Sequence, residues 1–512
     1  MRFLICCIAL LFVSTANGQS NCYEITTIPD LGAEQSTGCL LVRSRGYQVD
    51  DTALLRYAIS LSASQNRKLF LKGHFWISAT VAVYGNADIT GINGASIRNL
   101  DPVDVLLLIK KDASDIRIED VDLFESELID GAVISFAGRN KNVTLKRVNI
   151  DGRFVTDGRN TVAIQSGVDW LENLQIRDCN ITEFQSGIFI STPVWGLVIN
   201  GCCFTQWTDF GVYIGQRSGF GRRTRDIWVV DNFWHNPAEG IISQPLMIVK
   251  GAATLPVKTV SVVDNRVFGG HGAYVRGELN RAQGDMVVLQ GVTTFVVRNN
   301  RIKYGGENGL TVSRLSKQGV IADNVIFEND QNGINIGSGS FDLIVDRPEN
   351  FEAGDAIIGT QSGAQAVVRF KDFDGTLVLD QAGISPFFAE VIANATSGNP
   401  NAALSQTMER TKSILIRDNR IYDNGLDVND ETVSSHGCFV FNSDHIQFLR
   451  NRFFDNNFPN GTQTWAVRCN NSRSMCFNDN IWQWGQETFD DAVFLNLSTW
   501  LDPDNCGFGV PD

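Results

Sequence analysis

The chain has only five histidines in 512 residues. It contains no His-x-x-x-His, no Cys-x-x-Cys, no phosphate-cradling glycine loop and no Gly-x-Ser-x-Gly elbow, so the common motifs for zinc, dithiol, nucleotide and hydrolase chemistry are missing. Positive charge is also short: 43 Lys and Arg face 57 Asp and Glu, a formal net charge of −14. That balance argues against nucleic acid or an acidic membrane as a general partner. Charge is nonetheless local, because Arg217, Arg222, Arg223 and Arg225 crowd the single stretch RSGFGRRTR, and an anionic substrate stays open. Past the opening segment no run is long and apolar enough to span a bilayer. The opening itself has Arg2, an apolar run from Phe3 to Val13 and the small-x-small pair Ala16 and Gly18. This is the pattern of a signal peptide over 1–18, and it predicts a secreted or periplasmic chain beginning at Gln19.

What is abundant is one phrase, Asp-Asn-x-apolar. It reads DNFW from Asp231, DNRV from Asp264, NNRI from Asn299, DNVI from Asp323 and DNRI from Asp418. Its final apolar residue, aligned through weaker copies, gives Leu123, Ile150, Ile181, Phe204, Trp234, Val267, Ile302 and Ile326, then Ile421, Phe453 and Trp482 after a gap. Adjacent marks are 23 to 35 residues apart, and the runs around them, such as SVVDNRV, are β-prone. A period of that size built from short strands means a strand solenoid, a right-handed parallel β-helix with an Asn ladder at one corner. A glycine then opens the next strand, at Gly187, Gly211, Gly240, Gly272, Gly309, Gly333 and Gly437.

The expected organisation is a solenoid over 19–340, a small β insertion over 341–410 and closing coils over 411–512. The rhythm stops between Gly337 and Thr411, where short apolar runs with Gly turns read as a β-barrel or β-sandwich, either a spacer or a flap that grips carbohydrate. Asp50, Asp51 and Thr52 cap an amphipathic helix carrying Leu54, Leu55, Ala58 and Ile59, suited to plug the solenoid end. Of the nine cysteines past the leader, Cys22 and Cys39 would close a small loop. Cys179 falls under Cys202, as a disulfide or as a buried thiol ladder.

The order DDTALLRYAIS, LFLKGHFWIS, VYGNADITGINGASI resembles the opening of the pectate-lyase-like superfamily, with Lys72-Gly73-His74-Phe75 in place of its Pro-x-Gly-x-Tyr turn. The resemblance covers roughly 45–340 and 410–490. It implies the β-helix fold and a carbohydrate-active protein, in a superfamily that includes lyases, hydrolases, epimerases and phage tailspikes.

On a β-helix, side chains from successive coils line up into columns. The residue before each strand glycine gives Ser186, Phe210, Glu239, His271, Asn308, Asn332 and His436. Outward positions of the next strand give Phe189, Tyr213, Ile242, Tyr274, Thr311 and Asn335, and two residues on come Gln244, Arg276 and Ser313. Asp209, Tyr213, Glu239, His271, Tyr274, Arg276, Glu307 and Arg314 are thereby expected on one face. In β-elimination of a uronate, His271 or Tyr274 would serve as base and acid, with Arg276 neutralising the carboxylate. In glycoside hydrolysis Glu239, Glu307 and Asp209 supply the paired carboxylates. Phe189 and Tyr213 would stack sugar rings, while Arg217, Arg222, Arg223, Arg225 and Arg314 hold anionic groups. No metal motif is present, although Asp231, Asp264 and Asp323 could hold Ca²⁺ beside the Asn ladder.

The sequence therefore predicts a monomeric polysaccharide lyase acting on an anionic glycan. A hydrolase, a C5 epimerase and a non-catalytic glycan-binding or tailspike-like β-helix are the alternatives. The Asp-Pro-His motif of alginate epimerases is absent.

Overall fold

The computed structural model describes residues 22–26, 28, 38–127, 129–152, 162–167, 169–215, 222–235, 247–251, 255–269, 285–337, 341–345, 347–360, 363–371, 377–381, 391–396, 403–406, 411–425, 436–455, 465–470, 472–483, 493–496 and 498. The expected signal peptide lies outside them. Each coil contributes a strand to three sheets, here called front, side and back. One coil runs from the side strand Val292–Arg298 through the back strand Arg301–Lys303 to the front strand Leu310–Ser313. Every one of these pairs in parallel with the coil below and the coil above. The apolar marks read from the sequence fall in one register on the back sheet, from Leu123 and Ile150 through Phe204 and Trp234 to Phe453 and Trp482.

The recurring phrase has a physical reason at each position. Its first residue turns the corner with positive φ, at 52° for Asp231, 60° for Asp264, 53° for Asn299, 56° for Asp323 and 56° for Asp418. Asp and Asn tolerate that left-handed region better than other side-chain-bearing residues. The second residue, Asn, is buried and donates its amide to the Asn of the next coil. Asn232, Asn265, Asn300, Asn324, Asn419, Asn451 and Asn480 are joined this way at 2.9–3.0 Å. Of the aspartates considered for Ca²⁺, Asp264 accepts from the Asn299 amide at 2.6 Å and Asp323 from Arg298 at 3.0 Å. Among the described residues no group of three His, Cys, Asp or Glu could hold a metal ion.

Cys179 and Cys202 are buried free thiols rather than a disulfide. They continue the ladder position downward, since the Cys202 backbone N–H donates to Asn232 Oδ1 at 2.9 Å. Cys22 and Cys39 are bonded. The helix Thr52–Gln65 buries Leu54, Leu55, Ala58 and Ile59 against the first coils. Of the two expected capping aspartates one makes the bond. Asp51 makes no side-chain cap bond; it is fully buried and pairs with Arg45 Nε at 2.8 Å. Asp50 accepts from the Thr52 N–H at 2.9 Å instead. Burial pushes the Asp50 carboxyl up, but the bonds from Thr52 and Ser78 outweigh it and hold the pKa at about 2.

Between the front strand Ile334–Ile336 and the side strand Thr411–Arg417 the chain leaves the solenoid. There it forms a closed barrel of six strands, Phe341–Val345, Ala356–Gly359, Gln365–Lys371, Leu377–Gln381, Val391–Asn394 and Ala403–Gln406. The barrel has its own core around Phe351, Ile357, Val368 and Ile392. The solenoid stack passes the insertion unbroken, since Gly319 pairs with Ile414 and Asn324 bonds Asn419 although 95 residues separate them.

Packing inside the coils is specific. Phe295 lies under Gly319, and a Cβ on Gly319 would come within 2.0 Å of the Phe295 ring. Gly319→Ala is expected to cost about 1–3 kcal/mol through overpacking, read as a lower denaturation midpoint with unchanged slope. Phe295→Leu in the same chain should recover part of that loss.

Candidate functional site

The front sheet presents one outward column of paired residues: Gln165, Phe189, Tyr213, Ile248, Val288, Thr311 and Asn335. Phe189, Tyr213, Thr311 and Asn335 stand where the sequence predicts them. Two coils do not. The segments EGIIS and HGAYV were expected to open strands at Gly240 and Gly272, but the paired front strands are Met247–Lys250 and Val287–Gln290. In these coils the chain between back and front strands is longer, so the glycine that ends a short turn elsewhere does not mark the strand. Glu239, His271, Tyr274, Arg276 and Arg217 lie outside the described residues, and the front-sheet positions assigned to the first four belong to others. Ile248 and Val288 fill the column given to Ile242 and Tyr274. Lys250 and Gln290 fill that given to Gln244 and Arg276, and Asp285, two residues before Val287, stands where His271 was placed.

Asp285 heads a second polar ladder on the edge where the back sheet turns into the front. The Asn308 backbone and side-chain N–H groups donate to Asp285 Oδ1 at 3.1 and 2.6 Å. Asn332 donates to Asn308 Oδ1 at 2.8 Å, and the His436 backbone N–H donates to Asn332 Oδ1 at 2.9 Å. Burial raises the Asp285 pKa, only partly offset by Asn308 and Thr311. Half-buried Asp209, on the same edge, is also raised by burial, with the Gln185 amide working against the shift. Glu307 precedes Asn308, and its carbonyl accepts from the Gln331 N–H at 2.8 Å. His436 is fully buried.

A partly buried carboxyl whose pKa is raised by desolvation favours its neutral form. Its contribution to folding is therefore full below the unfolded pKa of an aspartate, about 3.9, and is lost as pH rises through the folded value. Asp285→Asn keeps an acceptor for Asn308 and removes that charge. The variant is expected to melt above the parent at pH 7, with the difference vanishing toward pH 3. A melting temperature at pH 7 equal to or below the parent's would contradict this account.

Tyr213 stacks on Phe189 with ring centroids 4.8 Å apart and planes at 14°. Its ring folds across Gly215: a Cβ there would lie 2.5 Å from the Tyr213 hydroxyl. On the next coil Gly215 is paired with Lys250.

The opposite edge of the front sheet, where it turns into the side sheet, carries the described part of the arginine-rich loop. The Arg222 guanidinium lies 4.6 Å from the Trp170 ring centre and 5.4 Å from Trp195. Arg225 lies 4.7 Å from Trp195, whose Nε1–H donates to the Arg223 carbonyl at 2.6 Å. A small cleft of about 140 Å³ opens there, lined by Arg139, Asp169, Trp170, Pro193 and Arg222. Trp170, Trp195 and Arg139 were not singled out in the sequence, yet the coil spacing that aligns Trp195 with Arg225 was available. Arg314 sits in the front-to-side turn with φ 49°, at the far end of its strand from Glu307. The expected face is thus two rims, carboxyls on one and cations on the other, separated by a strand of about 15 Å.

Residues 172–348 match the family described as "Right handed beta helix region". No curated protein matches the chain by sequence. Among solved structures it is similar to the A-module of mannuronan C-5 epimerase AlgE4 from Azotobacter vinelandii, at 11% identity over 89% of this chain and 96% of that one, TM-score 0.44. It is also similar to tailspike protein 3 of bacteriophage CBA120, at 10% identity over 94% of this chain and 62% of that one, TM-score 0.42. A third is PfbA, a surface adhesin of Streptococcus pneumoniae, at 12% identity over 68% and 99%, TM-score 0.32.

Proposed function

We propose that this right-handed β-helix protein is a secreted or periplasmic lyase that cleaves an anionic polysaccharide lying along its front sheet, by β-elimination at a uronate. The observation that carries the reading is the placement of a phenol next to an ammonium-bearing coil: Tyr213 folded over Gly215, with Lys250 as the partner of Gly215. Elimination needs a base for the proton beside the carboxylate, a cation on that carboxylate and an acid for the leaving oxygen. Tyr213 as phenolate takes the C5 proton while Lys250 holds the carboxylate and stabilises the charge that develops on it. The C5–H electron pair becomes the C4=C5 bond, the C4–O bond breaks, and the Tyr213 phenol, having taken the C5 proton, passes it to the departing oxygen. Phe189 extends the sugar-stacking surface, and Arg222, Arg223 and Arg225 draw the polyanion to the rim.

A second reading, hydrolysis, is favoured by Asp285. Asp209 and Asp285 belong to coils two steps apart, about 9–10 Å by strand spacing, at the upper end of the range for an inverting carboxyl pair, about 6.5–9.5 Å. The test is incubation with pectate, alginate, glycosaminoglycans and sulfated algal glycans, with and without Ca²⁺. Ultraviolet absorbance from a new double bond supports elimination. Reducing ends without it establish hydrolysis, and silence in both sinks the cleavage reading.

A further inference from the structure

A second cleft lies at the N-terminal end of the solenoid, away from the front sheet. Its volume is about 440 Å³, and Tyr47, His74, Trp76 and Arg98 line it together with Gly46 and Gly73. That volume is in the range of small-ligand sites, about 300–1,000 Å³. Tyr47 is 78% exposed, and nothing in the core requires so open a ring. It meets Trp76 edge-on, with centroids 5.4 Å apart and planes at 78°, leaving most of its surface to solvent.

The loop that carries Tyr47 is tied down. Buried Asp51 holds the Arg45 side chain at 2.8 Å and accepts from its backbone N–H, and Ser44 Oγ donates to the His74 carbonyl. Opposite, the register of the strand Lys68–Ile77 slips between Lys72 and His74, beside Gly73 with φ 98°. Such a bulge re-aims the side chain that follows it. His74 Nδ1 meets Ser96 Oγ at 2.9 Å. The Arg98 guanidinium lies 5.8 Å from the Trp76 ring centre and 4.3 Å from that of Phe124, so two rings orient the cation. A fixed exposed aromatic face, a ring-held guanidinium and an imidazole converge on one opening, the chemistry that recognises a sugar ring bearing a carboxylate.

We propose that this cleft binds one acidic sugar residue: its ring face on Tyr47, its carboxylate on Arg98 and a hydroxyl on His74. It is a docking site for the polymer and performs no bond cleavage. The inference rests on the proposed function only for the class of ligand, because the cleft is on other sheets and shares no residue with the front face.

Hydrogen exchange of the full chain, followed by mass spectrometry with galacturonate and mannuronate trisaccharides and neutral cellotriose, separates the two. Slower exchange over residues 44–50 with at least one uronate trisaccharide is expected. Affinity read from this segment should fall about tenfold or more in Tyr47→Ala and in Arg98→Gln, while the response over 209–215 stays as in the parent. Protection at 44–50 without any at 209–215 would keep this site and remove the front-sheet reading. No slowing at 44–50, equal slowing by cellotriose, or full retention in both variants overturns the proposal.

Discussion

Tyr213→Phe is expected to lower the formation of unsaturated uronate by about 10²–10⁴-fold, the usual weight of a general base. The substitution removes only the hydroxyl. The ring keeps its 4.8 Å stack on Phe189 and its 5.3 Å contact with Phe210, so the melting temperature should stay within a degree or two of the parent. Substrate affinity should change little, because stacking is retained, and the loss should appear in kcat. Lys250→Met, which keeps an unbranched stem, is expected to reduce kcat and also to raise KM, since the ammonium meets the carboxylate before and during the reaction. Full activity in Tyr213→Phe removes the phenol from the mechanism. If Asp285→Asn were then inactive with no double bond ever seen, the carboxyl-based hydrolysis would replace it.

The largest stability effect is expected in the Asn ladder. Asn300 is 1% exposed. Its Oδ1 accepts from both the backbone and the side chain of Asn265, and its Nδ2 donates to the Val262 carbonyl and to Asn324. Asn300→Ala leaves several of these groups buried without a partner at once, each costing about 1–3 kcal/mol, so a total of at least about 3 kcal/mol is expected. The contrast is Asn180, whose amide bonds Asn149 at 2.8 Å in an exposed position, where water replaces the lost partner. Asn180→Ala should cost under about 1 kcal/mol. Chemical denaturation of the two variants side by side checks the claim. Equal losses would mean that burial of the ladder is not what gives it weight.

The solenoid was legible because its strongest sequence signals have independent physical causes that recur on every coil. The corner demands positive φ, which selects Asp or Asn; the next position demands a buried amide; the second residue after that faces the core. Repetition multiplies a weak motif into a register, and Leu123 through Trp482 fall into it despite an inserted barrel. The site was less legible because columns depend on turn length, and turn length is free. Where the back-to-front turn is short, as before Gly187, Gly309 and Gly333, glycine does mark the strand. In the two coils that lead to Met247 and Val287 it does not, and a slip there exchanges Asp285 for His271 and Lys250 for Gln244. The cap at Asp50 and Asp51 was legible only in part: Asp50 accepts from the Thr52 N–H, while Asp51 makes no cap bond. Two adjacent aspartates are equivalent to a pattern, but only one can be buried against Arg45, and the other is left to hold Thr52.

The seven ladder amides all point the same way. Each oxygen accepts from the coil toward the N-terminus, and each nitrogen donates to the coil toward the C-terminus, starting where the Cys202 N–H meets Asn232 and ending at Asn480. Amide dipoles of about 3.5 D therefore add head to tail, and bonds in such a chain polarise one another. The protein thus carries a buried electrical axis, partly negative at Asn232 and partly positive at Asn480. For a polyanion laid along the coils, the two ends of the protein are not equivalent.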